Sequence, residues 1–128
     1  MSRMPSEAGP EEVVIVWSLR IAVAALFVWT GFEKFSDSAT SQWVGIFHRI
    51  GLGDWFRYFT GVVEVGGGAL FLIPRTTWIA GAALGATMLG ATIAHLTVLG
   101  DPGSSAITIM ILLGVVGVAA RVSERRAA

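Results

Sequence analysis

Three ionisable side chains fall inside long apolar runs of the 128-residue sequence: Arg20, Glu64 and His95. A charge that faces lipid at such depth costs on the order of 2.5 to 3.5 kcal/mol on insertion scales, so each of these needs a partner or a use. Glu64 poses the problem most sharply, because it lies in the stretch GVVEVGGGALFLIP, residues 61–74, two positions before the consecutive glycines Gly66, Gly67 and Gly68. At 1.5 Å per residue Arg20 lies ~10 Å from the inner end of the first apolar run and Glu64 ~13 Å from the inner end of the second. Antiparallel neighbours would hold the two at similar depth. The expectation is therefore a structural ion pair between Arg20 and Glu64, with the Gly66–Gly68 backbone letting the first helix approach.

A second group of polar residues lies nearer the other end of the same runs. Arg20, Ala24, Phe27, Gly31 and Lys34 share one helical face by spacing, as do Arg57, Gly61, Glu64 and Gly68, and likewise Ala83, Thr87, Ala91 and His95. Lys34, Arg57 and His95 would then line an outward-facing polar mouth above Glu64 and Arg20, with Glu33 the nearest acid. Lys34, Glu64 and His95 are the candidate binding residues: Lys34 and His95 could donate to a ligand carbonyl while Glu64 handles protons, a use that a paired arginine would oppose. The competing structural roles are a helix lock for Glu64, a satisfied interfacial position for His95, and snorkelling to headgroups for Lys34 and Arg57.

The residue inventory limits other chemistry. With no cysteine, the chain offers no disulfide, dithiol relay or thiolate metal site. His48 and His95 are the only histidines, so two-histidine ligation of haem is not expected, and no metal site is predicted. Net charge is zero, without the basic excess of a nucleic-acid binder. No catalytic residue can be assigned.

These side chains must be carried by membrane helices. Hydrophobic residues make up 54% of the chain and charged ones 14%, against about 25% charged in soluble domains; mean hydropathy is +0.70. Four spans follow, at about 13–32, 56–73, 77–99 and 105–120, making an all-α integral membrane four-helix bundle over 13–120. Residues 1–12 read as a disordered cytoplasmic tail, since they are polar, hold two prolines and lack periodicity. Glu11 and Glu12 directly before the apolar run argue against a signal peptide, so the first span is expected to be retained. Residues 121–128 read as a basic cytoplasmic tail. Between spans 1 and 2, Trp43, Ile46, Phe47 and Ile50 fall on one helical stripe and Gln42, His48 and Arg49 fall off it, which predicts a short amphipathic interfacial helix ended by Gly51 and Gly53.

Small residues mark expected contact faces, because lipid-embedded helices associate through close packing. Ala82, Ala86, Gly90 and Ala94 recur every fourth residue, beside the pair Gly81 and Gly85. Outside the spans, the side with both termini carries Arg3, Arg75, Arg121, Arg125 and Arg126, against Lys34, Arg49 and Arg57 on the other. The positive-inside rule then predicts cytoplasmic termini. Trp17 and Trp78 fall near inner span ends, and Trp29 and Trp55 near outer ones.

Arg20, Gly31 and Lys34 in the pattern R-x10-G-x2-K, then TGVVEVGGGALFLIPR at 60–75, then MLGATIAHL at 88–96 resemble the DoxX or DoxX-like family of small four-helix membrane proteins. The resemblance covers roughly residues 17–120 and matches Arg20, Lys34, Glu64 and His95 to the family's recurrent polar positions. It implies a multi-pass bundle in the bacterial cytoplasmic membrane. Some relatives are linked to membrane oxidoreductase systems, including quinone-coupled sulfur oxidation and assemblies with oxidative-stress enzymes. The expected function is a non-catalytic membrane subunit or scaffold of a redox system, partnered by the lipid bilayer and a soluble oxidoreductase, or by further copies of itself. If it belongs to an enzyme, it is the membrane subunit of an oxidoreductase. The alternatives are a protein that binds a quinone or another small lipophilic molecule, and a small proton-coupled transporter, which would need a free acid. No cofactor is held by the chain's own chemistry; a quinone is the one a bundle of this kind could take.

Overall fold

The computed structural model describes residues 9–127, with the side chains of 125–127 left aside; the disordered tail expected at the N-terminus falls outside it up to residue 8. The described residues form five α-helices and no strand: α1 Pro10–Glu33, α2 Gln42–Ile50, α3 Asp54–Phe71, α4 Thr77–Leu96 and α5 Pro102–Ala127. Helix α1 opens at Pro10, earlier than the apolar run begins, because a proline at the first helical position lacks only an N–H that has no intrahelical partner there. Glu11 and Glu12 in that first turn complement the helix dipole, and Glu12 also pairs with Arg121 near the far end of α5.

Helix α5 is longer than its apolar run at both ends. Pro102 starts it behind Asp101, whose carboxylate accepts from the Ser104 backbone N–H at 3.4 Å and hydroxyl at 2.6 Å. At its other end the helix runs through Arg121 to Ala127, so the basic segment is helical and continuous with α5. Helix α4 stops at Leu96, short of the expected Leu99, and the chain turns through Gly100 at φ 61°. Helix α2 forms where its stripe predicts, with Phe47 buried, Trp43, Ile46 and Ile50 half-buried, and Gln42, His48 and Arg49 exposed.

The long helices contact one another in a closed circuit, α1 with α3, α3 with α4, α4 with α5 and α5 with α1, while α2 lies on α3. Their shared core includes Phe27, Phe71, Leu84 and Val115 and fills the end that holds the described termini. Lipid-compatible side chains cover the outside: Trp29, Phe32, Trp55, Met110 and Leu113 are each more than 60% exposed. Three helices are long and apolar enough to cross a membrane, Pro10–Glu33, Thr77–Leu96 and Pro102–Glu124. Helix α3 is not among them, for its 18 residues include Asp54, Arg57 and Glu64.

Glycines set the helix spacing, but not all those expected to do so. A Cβ on Gly31 would lie 2.9 Å from Glu64 Cβ, and one on Gly61 would lie 2.9 Å from the Gly31 carbonyl. Gly68 meets α1 at the Ala24 carbonyl, Gly67 meets Leu84 of α4, and Gly66 faces outward. On α4 the contact face is Gly81 and Gly85, which pack on Ala119 and on Leu112 of α5. Ala82, Ala86 and Gly90 point away from the other helices, so that stripe is not an internal contact face.

Candidate functional site

The faces that carry Arg20 to Lys34 on α1 and Arg57 to Gly68 on α3 are the buried ones, and they meet. Their register decides which charges pair. Arg20 lies level with Phe71, the last residue of α3, so the start of α1 projects beyond α3, whereas Gly31 lies against Glu64 and Val65. Counting depth from the ends of the apolar runs assumes level ends. The overhang breaks that assumption, and Glu64 takes Lys34 as its partner in place of the expected Arg20.

The Lys34 ammonium stands 2.7 Å from Glu64 Oε2, with each side chain 3% exposed. Thr30, one turn before Lys34, donates its hydroxyl to the same carboxylate oxygen at 3.1 Å. Lys34 folds back along its own helix to reach the Thr30 carbonyl at 3.3 Å. Its remaining side lies beneath the indole of Trp43, 3.6 Å from the ring centroid, a cation–π contact supplied by α2. Trp43 in turn donates Nε1–H to Glu33 at 3.3 Å. The pair is thus closed on every side that these contacts define, where a mouth open to solvent was expected.

Arg57 does not line a mouth either; it is 1% exposed. Its Nη1 donates to the carbonyls of Lys34 at 2.6 Å and Ser36 at 2.5 Å, beyond the end of α1. Its Nη2 lies 2.9 Å from Asp37 and 3.5 Å from Asp54. Tyr58 also donates to Asp37. The Tyr58 hydroxyl first, and the Arg57 guanidinium second, hold the Asp37 carboxyl below the usual aspartate value. Arg20 does the equivalent at the opposite end: its Nη2 donates to the Phe71 carbonyl at 2.9 Å and to Thr77 Oγ1 at 2.7 Å, and it stacks on Trp17. Each of these two antiparallel helices therefore carries an arginine that caps the other's C-terminal carbonyls, where the helix dipole is negative. Sequence reasoning missed this reciprocal capping, although one arginine near the start of each run was its visible signal.

His95 stands apart from the pair. Its Nδ1 is 3.8 Å from Asp101, beyond hydrogen-bond distance, and makes no hydrogen bond. Ser104 above all holds the Asp101 carboxyl below the usual value. Arg49 of α2 reaches the same turn, donating to the Leu99 carbonyl at 3.1 Å. Of the three candidate binding residues, Lys34 and Glu64 come together, and His95, in the last turn of α4, stands beside Asp101 of the α4–α5 connection. Among the described residues no three His, Asp or Glu side chains come together as a metal site would require.

No curated protein and no solved structure matches the chain. The DoxX family model matches residues 15–97, a stretch that contains both caps and both members of the ion pair. With well over half its length inside that match, the chain belongs to the DoxX family.

Proposed function

We propose that the chain is a non-catalytic, multi-pass subunit of the bacterial cytoplasmic membrane, serving as the membrane member of a redox assembly. In this reading α3 is a fourth crossing, the four long helices form the bundle, α2 lies at the outer interface and both termini are cytoplasmic. The observation that carries the proposal is the 2.7 Å contact between Lys34 and Glu64, both buried. Hydropathy penalises α3 for charges that lipid would not meet: Arg57 and Glu64 turn into the protein, and the face left outward carries Trp55, Phe59, Val62 and Leu70. The charges serve to hold the helices in register, and their chemistry is consumed in doing so.

The alternatives lose support on the same geometry. A proton-coupled carrier needs an acid without a fixed partner, and Glu64 is held by Lys34 and Thr30. A quinone held by Lys34 and His95 needs the two to converge, but Trp43 covers one and the other faces Asp101. The redox association rests on family membership, and electrons would come through a partner subunit. Affinity purification from native membranes in mild detergent tests it: a soluble oxidoreductase, identified by mass spectrometry, should co-purify. Recovery of the chain alone, even under the gentlest solubilisation, would count against the proposal.

A further inference from the structure

Helix α2 is a short element between two irregular connections, the first of them pinned by Arg57 as far as Asp37. Before it runs a polar segment with Ser36, Ser38, Thr40 and Ser41; after it come Gly51 and Gly53, at φ 83° and 98°, a left-handed conformation that glycine adopts without strain. Its ties to the rest of the protein include Trp43 on Lys34 and Glu33, the buried Phe47 against Phe56 with ring centroids 5.8 Å apart, and Arg49 on the Leu99 carbonyl. Beside its N-terminus lies an open depression of about 470 Å³ lined by Glu33, Ser36, Ser38, Thr40, Ser41 and Gln42. Glu33 belongs both to this depression and to the Trp43 contact. Trp43 thus touches Lys34 of the buried ion pair on one side and Glu33, which lines the open depression, on the other.

We propose that α2 is a lid hinged at Gly51 and Gly53, with Trp43 as the plug between the depression and the Lys34–Glu64 pair. When α2 swings outward, the indole leaves the ammonium and water reaches the pair. The open state costs the cation–π contact, the Trp43–Glu33 hydrogen bond, the Phe47–Phe56 packing and the Arg49 tether, and it leaves the α1–α3 interface intact.

Lys34 is the only lysine in the chain, which makes it a clean reporter of the opening. Full-length protein in nanodiscs, where both faces meet solvent, is treated with a water-soluble amine-acetylating reagent at fixed pH, and the Lys34 peptide is followed by mass spectrometry. Trp43→Ala should accelerate acetylation about tenfold, as loss of a desolvated cation–π contact implies. Arg49→Ala, which touches neither Lys34 nor Glu64, should also accelerate it by releasing the far tether. Trp17→Ala removes the indole over Arg20 and should leave the Lys34 rate unchanged. Wild-type rates in both Trp43→Ala and Arg49→Ala would overturn the proposal. Acceleration in Trp43→Ala alone would also overturn it, by making Trp43 a static cover, and equal acceleration in Trp17→Ala would do so by revealing general loosening.

Discussion

Lys34 and Glu64 are each tolerable in the protein interior only because of the other. Glu64→Gln should therefore leave a buried ammonium facing a neutral amide, at a cost of about 3 to 5 kcal/mol, while the double replacement Lys34→Met with Glu64→Leu should lie much nearer the wild type. Unfolding in mixed micelles measures both, and equal losses in the single and double variants would show that the pair itself stabilises the fold. Asp37 offers a second test at this scale, in the aqueous connection. Its carboxyl is held below the ordinary value of 3.8 by Tyr58 and then Arg57. A depressed folded-state value means that the carboxylate stabilises the fold above the unfolded value and loses that contribution as pH falls through the folded one. The advantage of wild type over Asp37→Asn should therefore be flat near neutrality and shrink in acid, with Tyr58→Phe removing the larger part of the effect. A pH-independent difference would contradict this.

Helix contacts divide the glycines into two classes with opposite expected effects. Gly61→Ala would press a Cβ to 2.9 Å from the Gly31 carbonyl, and backbone cannot rotate away as a side-chain tip can. Forcing α1 and α3 apart should cost about 1 to 3 kcal/mol. Gly66, Gly90 and Gly114 have no neighbour within 4 Å of an added Cβ, so alanine there should be neutral or add up to about 1 kcal/mol through helix propensity. Comparing the four variants in one unfolding series separates helix contact from helix preference. The same contrast marks what the sequence could convey. Periodicity identified the buried faces of α1, α2 and α3, because the spacing of residues on a helix is fixed locally. It could not say that Gly81 rather than Ala82 faces α5, since small residues occupy both faces of α4. Nor could it pair Glu64 correctly, because axial register depends on how far α1 overhangs α3, and Pro10 extends α1 into residues that hydropathy assigns to the tail. Arg57 looked like a snorkelling residue because nothing local announces that the chain end at Lys34 and Ser36 will curl over it.

For the whole molecule, the number of crossings decides where everything else lies. With α1, α4 and α5 alone in the bilayer, residues 34–76 would stay on one side and the end of α5 would emerge on that same side. With α3 as a fourth crossing, the α2 connection and the end of α5 lie on opposite sides. The burial of Arg57 and Glu64 favours the second, because the side of α3 left outward is apolar. Ser38 and Ser123 are both exposed and sit at the two diagnostic places. Because the chain has no cysteine, Ser38→Cys and Ser123→Cys each introduce a single thiol. In intact cells an impermeant maleimide should modify Cys at 38 but reach Cys at 123 only after the membrane is opened. That direction is the one the positive-inside rule predicts from Arg75, Arg121, Arg125 and Arg126. Protection of both thiols, or labelling of both, would place them on one side and remove α3 from the membrane. The Lys34–Glu64 pair would then have to be explained as an aqueous feature, which its burial beneath Trp43 makes hard to do.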